Sequence, residues 1–348
     1  MSVAMARLPR YRTGDTELDA RVTELVRSIG PADDADLVFE MIVSALGLAR
    51  DGANRGDLKI ANAALKELRR SFRVFAPYRE IRKAAIFGSA RTRNDDPLYE
   101  QTVRVAREIA QREWMVITGA GPGIMEAGVE GAGAENSFGA GIRLPFESTT
   151  TEFLADDPKL IVFRYFFTRK VTFIKEADGF VLLPGGFGTL DEAFELLTLV
   201  QTGKGQPGPI VLLDVPGGTY WQHWLRFVRD ELLARGYISG FDEHLFTVTD
   251  DVEHAVDELC RFYVNYHSQR YVDGDLVLRM LRGPDDGQLR AINDAYADIV
   301  ARGGIERAAP SKPELADNDA VDLARLRLRF DRHGFARLRQ LIDVINGW

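Results

Sequence analysis

The sequence has few of the residues on which several protein classes depend. Cys260 is the only cysteine among 348 residues, so no disulfide and no cysteine-based metal site can form within one chain. The five histidines lack metal-ligand spacing. No apolar run approaches the ~18–20 residues of a membrane span, and residues 1–10 lack the apolar core of a signal peptide. We therefore expect a cytoplasmic protein with no metal and no membrane partner.

An excess of positive charge is also missing. The net charge is −8 and the pI about 5.3, which disfavours a nucleic-acid binder because phosphate backbones require a basic surface. One basic stretch does occur, in which arginines alternate with apolar residues and others follow: Arg325, Arg327, Arg329, Arg332, Arg337 and Arg339. We interpret it as a half-exposed strand that is solvated or faces an interface; the alternative is a site for an acidic effector or RNA.

Several catalytic motifs are absent as well. There is no G-x-x-x-x-G-K-[ST] segment, Ser89 does not lie in a G-x-S-x-G elbow, and no lysine stands out as a Schiff-base former. P-loop, acyl-serine and pyridoxal phosphate chemistry are disfavoured, and we predict no cofactor. The glycine-rich turn at 119–124 departs from the dinucleotide motif because its sixth position is Ile124 and Pro122 removes a backbone donor. It is either a mononucleotide-contacting loop or a tight turn into a helix.

Apolar periodicity divides the chain into three predicted segments. Residues 1–78 are mostly helical, and residues 262–348 form a small α/β appendage with strands at 276–280 and 325–330 and helices at 289–300 and 335–345. Between them, in 79–261, short apolar runs alternate with helices, which predicts a doubly wound parallel sheet covered on both faces. The predicted strands lie at 84–87, 115–118, 140–144, 160–163, 179–183, 210–213 and 244–248.

Three glycine-bearing turns, at 88–91, 119–123 and 185–189, follow predicted strands, and ligands bind at such carboxyl ends. The third turn opens a helix, so its backbone N–H groups and the helix N-terminus can hold an anion. Glu192 lies about one turn into that helix. A phosphate cradle beside a carboxylate predicts an enzyme acting on a phosphorylated small molecule. The alternative role for Glu192 is to complement the helix dipole, worth ~0.3–1 kcal/mol.

A basic pair precedes this loop. We expect Phe166, Phe167, Phe173 and Ile174 to bury one helix face while Arg169 and Lys170 project toward the strand ends; the alternative is a solvated basic pair. Two further carboxylate candidates follow the strand at 140–144, with solvent exposure favoured for the second: Glu147 and Glu152.

Arg169 and Lys170, followed after 13 residues by Pro-Gly-Gly-Phe-Gly-Thr-Leu-Asp-Glu at 184–192, resemble the R-K…P-G-G-x-G-T-x-x-E signature of the LOG (Lonely Guy) family. Segments 88–91, 119–125 and 144–147 fall where longer bacterial members carry similar sequences. The resemblance covers roughly residues 80–260. It implies an extended bacterial member with a Rossmann-like fold, a homo-oligomer, and hydrolysis of nucleoside 5′-monophosphates such as AMP or cytokinin riboside 5′-monophosphates to base and ribose 5-phosphate.

The resemblance implies that Arg169 and Glu192 form the catalytic pair. Glu192 could stabilise the positive charge that develops on the ribose, bind ribose hydroxyls or orient water. The residues that would contact substrate are Gly88, Ser89, Gly119, Gly121, Gly123, Glu147, Lys170, Gly185, Gly186, Phe187, Gly188, Thr189 and Thr198.

Two other functions are weighed against hydrolysis. A non-catalytic nucleotide or cofactor carrier of the same fold is the main alternative, and the intact Arg169 and Glu192 disfavour it. Lysine decarboxylation, an old label of the family, is disfavoured because nothing in the sequence resembles a pyridoxal phosphate site.

Overall fold

A computed structural model describes residues 9–30, 34–144, 154 and 156–348. The chain divides into two compact units, residues 1–67 and 68–348. In the described part of the first unit, helices α1 (Thr16–Ser28) and α2 (Ala35–Arg50) bury Val22, Val26, Phe39 and Val43 between them. Helix α3 (Arg55–Phe75) begins in this unit and ends in the second. The helical N-terminal segment is therefore confirmed for the described residues.

The larger unit contains a parallel sheet of seven strands, counted over the described residues. The strands are β1 (Lys83–Phe87), β2 (Met115–Thr118), β3 (Ser137–Ile142), β4 (Leu160–Phe163), β5 (Gly179–Leu182), β6 (Ile210–Leu213) and β7 (Thr247–Thr249). Their order is β4-β3-β2-β1-β5-β6-β7, and each neighbouring pair is parallel. The connecting helices are α4 (Pro97–Gln111), α5 (Ile124–Ala132), α6 (Phe166–Glu176), α7 (Phe187–Gln201), α8 (Tyr220–Phe227) and α9 (Val252–Arg261).

Each face of this sheet has its own core because side chains alternate along a strand. On β1, Ala85 and Phe87 join a cluster with α6, α7 and α8, whereas Ala84 and Ile86 join a cluster with α4, α5 and α9. The central strands β1, β2, β5 and β6 are therefore buried on both faces, which explains why they appear in the sequence as nearly continuous apolar runs. The predicted doubly wound, Rossmann-like α/β fold is confirmed.

The C-terminal segment forms a second sheet, which is antiparallel. Its strands, in the order β10-β11-β9-β8, are β8 (Tyr266–Val272), β9 (Asp275–Met280), β10 (Val300–Arg307) and β11 (Ala324–Phe330). Helices α10 (Asp286–Ala295), α11 (Lys312–Asp317) and α12 (Phe335–Asn346) accompany it. Side chains of β8, β9, β10, β11, α10 and α12 share one core. The α/β appendage is confirmed.

Some predicted bounds are wrong, and two strands of the C-terminal sheet were not predicted. The helix expected at 289–300 ends at Ala295, because the chain then turns into β10, which sequence analysis did not predict. The strand expected at 244–248 is shifted, since Gly240–Leu245 is a 3₁₀-helix and β7 begins at Thr247. Strand β8 was also not predicted.

The arginine stretch of β11 is half-exposed as expected at Arg327 and Arg329, whose side chains are 51% and 29% exposed, but not at Arg325. The side chain of Arg325 is fully buried, and its Nε lies 3.2 Å from the equally buried Glu314 of α11. Arg279 of β9 lies 3.1 Å from the same carboxylate. Arg339 is also buried and pairs with Glu258, at 2.7 Å. Because carboxylates of the same chain partner Arg325, Arg279 and Arg339, these three guanidinium groups are not available to an acidic effector or RNA.

No helix in the described parts of the chain is long and apolar enough to span a bilayer.

Candidate functional site

The centre of the parallel sheet is where the strand order reverses. The order runs outward from β1 in one direction through β2 and in the other through β5. In open α/β sheets this switch point opens a crevice at the carboxyl ends of the strands. The loop after β1 and the loop after β5 meet there, since Ser89 donates its N–H to the carbonyl of Pro184 at 3.3 Å.

The glycine loop after β5 leads directly into α7. Gly186 is the N-cap, and the helix begins at Phe187. A Cβ on Gly185 would lie 2.1 Å from Thr189 Oγ1 and 3.0 Å from the Ser89 nitrogen, so only glycine fits there. The first amides of α7 have no partners within the helix, and the dipole adds partial positive charge. The loop therefore has the features of an anion site.

A second glycine turn packs against the loop after β1. Gly123 has φ +69°, and a Cβ there would lie 2.5 Å from the carbonyl oxygen of Ser89. The following N–H, from Ile124, donates to that same oxygen at 3.1 Å. A Cβ on Gly88 would lie 2.5 Å from the Ile124 side chain. These glycines thus permit two loops at the crevice to approach each other closely.

The remaining glycines of the 119–123 turn lie near the predicted catalytic helix. A Cβ on Gly119 would lie 3.9 Å from Arg169 Nη1, and Cβ atoms on Gly119 and Gly121 would both clash with Met125. The turn after β2 therefore borders the guanidinium of α6. This places all three glycine-bearing turns and Arg169 at one edge of the sheet.

Arg169 and Glu192 face each other from different helices. Arg169 Nη2 lies 3.8 Å from Glu192 Oε1, with side-chain exposures of 13% and 7%. Burial raises the pKa of Glu192 to about 7, although Lys170 and Arg169 oppose the shift. Burial also lowers the pKa of Arg169, and its Nε is buried without a hydrogen-bond partner among the described residues. The pair is thus desolvated and keeps donor capacity for a bound molecule.

Lys170 forms ion pairs with acidic side chains of α7. Its Nζ lies 2.5 Å from Glu195, 2.9 Å from Asp191 and 3.8 Å from Glu192. Burial opposes the charge on Lys170, but hydrogen bonds to Glu195 and Asp191 outweigh it and raise the pKa. Lys170 therefore ties α6 to α7 and holds Arg169 opposite Glu192.

Sequence analysis missed Asp191 and Glu195 as partners of Lys170. Their spacing of four residues on a predicted helix is the signal that could have identified them, because such residues share one helix face.

Thr198, a predicted substrate contact, lies in the C-terminal part of α7, away from the glycine loop. Thr198 is exposed, its hydroxyl donates to the carbonyl of Phe194, and it lies nine residues beyond Thr189, about 14 Å along the helix axis. Glu147 is outside the described residues.

The prediction that Phe166 and Phe167 bury a helix face is wrong. They are 52% and 49% exposed, whereas Phe173 is buried. Phe187 in the glycine loop is 94% exposed. The site is therefore bordered by uncovered aromatic side chains.

Comparisons with known proteins identify relatives of this chain. A family model described as possible lysine decarboxylase matches residues 122–259. A cytokinin riboside 5′-monophosphate phosphoribohydrolase of Mycobacterium tuberculosis is 32% identical over 163 residues, covering 46% of this chain and 83% of that protein. The probable phosphoribohydrolase LOGL3 of Oryza sativa is 34% identical over 101 residues, covering 29% of this chain and 46% of that relative.

Among solved structures, a molybdenum cofactor carrier protein of Chlamydomonas reinhardtii aligns with a TM-score of 0.36 and 21% identity, over 52% of this chain and 98% of that one. The bacterial relative is matched over most of its length and carries the family activity in its name. The chain therefore belongs to the LOG family.

Proposed function

We propose that this protein hydrolyses the N-glycosidic bond of nucleoside 5′-monophosphates, releasing the free base and ribose 5-phosphate. The observation that carries the proposal is the buried Arg169–Glu192 pair, 3.8 Å apart, beside a glycine loop at a helix N-terminus. Relatives named for this activity on cytokinin riboside 5′-monophosphates support it. AMP and cytokinin riboside 5′-monophosphates are the substrates we propose.

The phosphate of the substrate binds in the glycine loop. The N–H groups of Phe187, Gly188 and Thr189 are the first amides of α7, so they can donate to phosphate oxygens without competing with the helix. This binding is remote from the bond that breaks. The energy of phosphate binding fixes the sugar relative to Arg169 and Glu192. It lowers the activation barrier of hydrolysis by aligning the reacting atoms.

Glu192 acts on the sugar. Cleavage of the C1′–N bond builds positive, oxocarbenium-like charge on the ribose. A carboxylate within the buried site stabilises that charge more strongly than it would in water. Glu192 also lies where it can orient the attacking water or bind ribose hydroxyls. All three roles require the ionised carboxylate as an acceptor or a counter-charge.

Arg169 acts on the substrate opposite Glu192. Its buried Nε has no partner among the described residues, so a bound molecule can satisfy a donor that costs free energy when it is left unpaired. We propose that Arg169 positions the substrate and assists departure of the base. We propose that Lys170 also contacts the substrate, because its Nζ lies 3.8 Å from Glu192 Oε2.

We also propose a homo-oligomer. The exposed apolar side chains on α6 and α7 and in the glycine loop support it: Phe166, Phe167, Val171, Phe187 and Phe194. An apolar surface of this kind is typical of a protein–protein interface. Light scattering coupled to size-exclusion chromatography tests it, and a monomer at all concentrations would contradict it.

The decisive experiment incubates the purified protein with AMP and a panel of other nucleoside monophosphates. We expect equimolar free base and ribose 5-phosphate from at least one of them. Nucleosides without the phosphate serve as the matched control and should react far more slowly, because they lack the remote binding energy. Tight binding of nucleotide with no release of base would identify a carrier instead.

A further inference from the structure

A hydrogen bond from outside the proposed site reaches the backbone of the glycine loop. The hydroxyl of Tyr220, the first residue of α8, donates to the carbonyl oxygen of Gly185 at 2.7 Å. Nothing in the sequence near the signature at 184–192 identifies this tyrosine, because it lies beyond β6. We propose that Tyr220 is a positioning residue that fixes the orientation of the Gly185–Gly186 peptide and so sets the anion affinity of the loop.

The geometry of the peptide bond gives this hydrogen bond its effect. In a planar trans peptide the C=O and the following N–H point in opposite directions. Holding the Gly185 carbonyl toward Tyr220 therefore directs the Gly186 N–H the other way. If the peptide rotated by half a turn, a carbonyl oxygen would replace an N–H on that side, and it would repel a phosphate.

The loop is unusually free to make this rotation. Gly185 and Gly186 are consecutive, and rotation of the peptide between them moves the φ of Gly186 from −88° into the positive range. Glycine adopts positive φ as readily as negative φ, whereas residues with a Cβ do not. The backbone alone therefore provides little preference between the two orientations, and a side-chain hydrogen bond decides between them.

Tyr220 is itself held firmly. Its N–H donates to Asp214 Oδ2 at 3.0 Å, and the other oxygen of this buried carboxylate accepts the N–H of Val215 at 2.8 Å. The ring packs edge-on against Trp221 at a centroid distance of 4.9 Å. Trp221 is fully buried and donates its indole N–H to the carbonyl of Leu213 at 3.2 Å. The hydroxyl is thus fixed to the end of β6.

The test compares Tyr220→Phe with the wild type in two measurements: the dissociation constant of inorganic phosphate and the kinetics of nucleotide hydrolysis. One lost hydrogen bond of ordinary strength predicts a phosphate Kd and a nucleotide KM raised by about tenfold. We expect kcat to change less than KM, because the variant removes one hydrogen bond to the loop and leaves the phosphate of the substrate and the catalytic pair in place. Tyr237→Phe is the matched control, since that tyrosine is 70% exposed.

A second variant separates positioning from folding. At Gly186 a Cβ would meet nothing within 4 Å, and alanine accepts the observed φ but not the rotated one. We therefore expect Tyr220→Phe to raise the phosphate Kd much less in a Gly186→Ala background than in the wild type. If the hydroxyl had a merely structural role, Tyr220→Phe would raise the phosphate Kd equally in both backgrounds.

The outcomes distinguish this inference from the proposed function, on which its kinetic part rests. Unchanged phosphate affinity in Tyr220→Phe, a loss of equal size in the Gly186→Ala background, or a wild type that binds no phosphate would each overturn it. If the phosphate affinities change as expected while the wild type releases no base from any nucleotide, the positioning role stands and the hydrolase proposal fails.

Discussion

The guanidinium of Arg169 and the carboxylate of Glu192 lie 3.8 Å apart, close enough to attract but too far to share a hydrogen bond. Both side chains are largely buried, so neither charge is fully compensated by its partner or by water. Uncompensated buried charge is costly and is typical of functional sites rather than of structural ion pairs. The pair stabilises the fold little and can stabilise charge in a bound molecule.

Replacing Glu192 by glutamine should nearly abolish turnover. The variant keeps the shape of the side chain but removes the negative charge, and we expect kcat to fall by about 10²–10⁴-fold. Nucleotide binding, measured by calorimetry, should stay within a few-fold because the glycine loop is intact. Glu253→Gln, on the exposed face of α9, is the control. Near-normal turnover in Glu192→Gln would remove this residue from the mechanism.

The pH dependence of kcat/KM should report the ionisation of Glu192. Burial raises its pKa to about 7, so the ionised form that the mechanism requires increases as the pH rises through 7. We expect kcat/KM to increase with pH over the same range. Lys170 is the largest influence that lowers this pKa. We therefore expect Lys170→Met to shift the rise of kcat/KM to higher pH. If the rise stays at the same pH in this variant, the ionisation of Glu192 is not its cause.

Lysine should not substitute for Arg169. An ammonium group keeps the charge but loses the planar set of donors, including the buried Nε that has no partner in the described structure. We expect Arg169→Lys to lower kcat/KM by about 10²-fold, a typical loss for one electrostatic group at an active site. Steady-state kinetics on AMP measures it. Arg112→Lys, which alters a half-exposed pair with Asp257, should leave the rate unchanged.

The buried Glu314 should matter for stability rather than activity. It lies between Arg279 and Arg325, and all three side chains are almost fully buried. Removing the negative charge leaves the buried Arg325 without a carboxylate partner among the described residues, while Arg279 keeps Asp319 at 2.6 Å. We therefore expect Glu314→Gln to lower the free energy of unfolding by about 3–5 kcal/mol. Urea denaturation measures it. Glu306→Gln, at an exposed pair with Arg327, should cost less than about 1 kcal/mol.

The pKa of Glu314 determines how its contribution to the free energy of unfolding depends on pH. Burial opposes ionisation of Glu314, but hydrogen bonds from Ser311 and Arg325 outweigh it and hold the pKa below its ordinary value. A lowered pKa means that the unfolded chain takes up the proton first. The stabilisation is therefore fully present above the unfolded pKa and is lost as the pH falls through the folded one. A wild type and a Glu314→Gln variant that lose stability equally in acid would contradict this.

Sequence patterns predicted the parallel sheet because its strands are buried on both faces. Residues 84–87 of β1 and the whole of β6 are apolar, and the alternation of such runs with amphipathic helices leaves few other folds. Strand β8 was not predicted because its sequence, Tyr-His-Ser-Gln-Arg-Tyr-Val, is mostly polar. It is a strand because it pairs with β9, a contact between segments that a local pattern does not encode.

By itself the sequence determined the parts of the site that depend on local chain geometry: the tight turn at Gly185, the start of α7 and the position of Glu192 within it. Side-chain volume and backbone freedom decide these within a few residues. Only the tertiary structure decided which distant groups meet there. The packing of α6, α7 and α8 on the sheet places Arg169 opposite Glu192, brings the Tyr220 hydroxyl to the Gly185 carbonyl and leaves Phe166 exposed. Packing decides these features because it determines which side chains are buried and which charged groups lose contact with water.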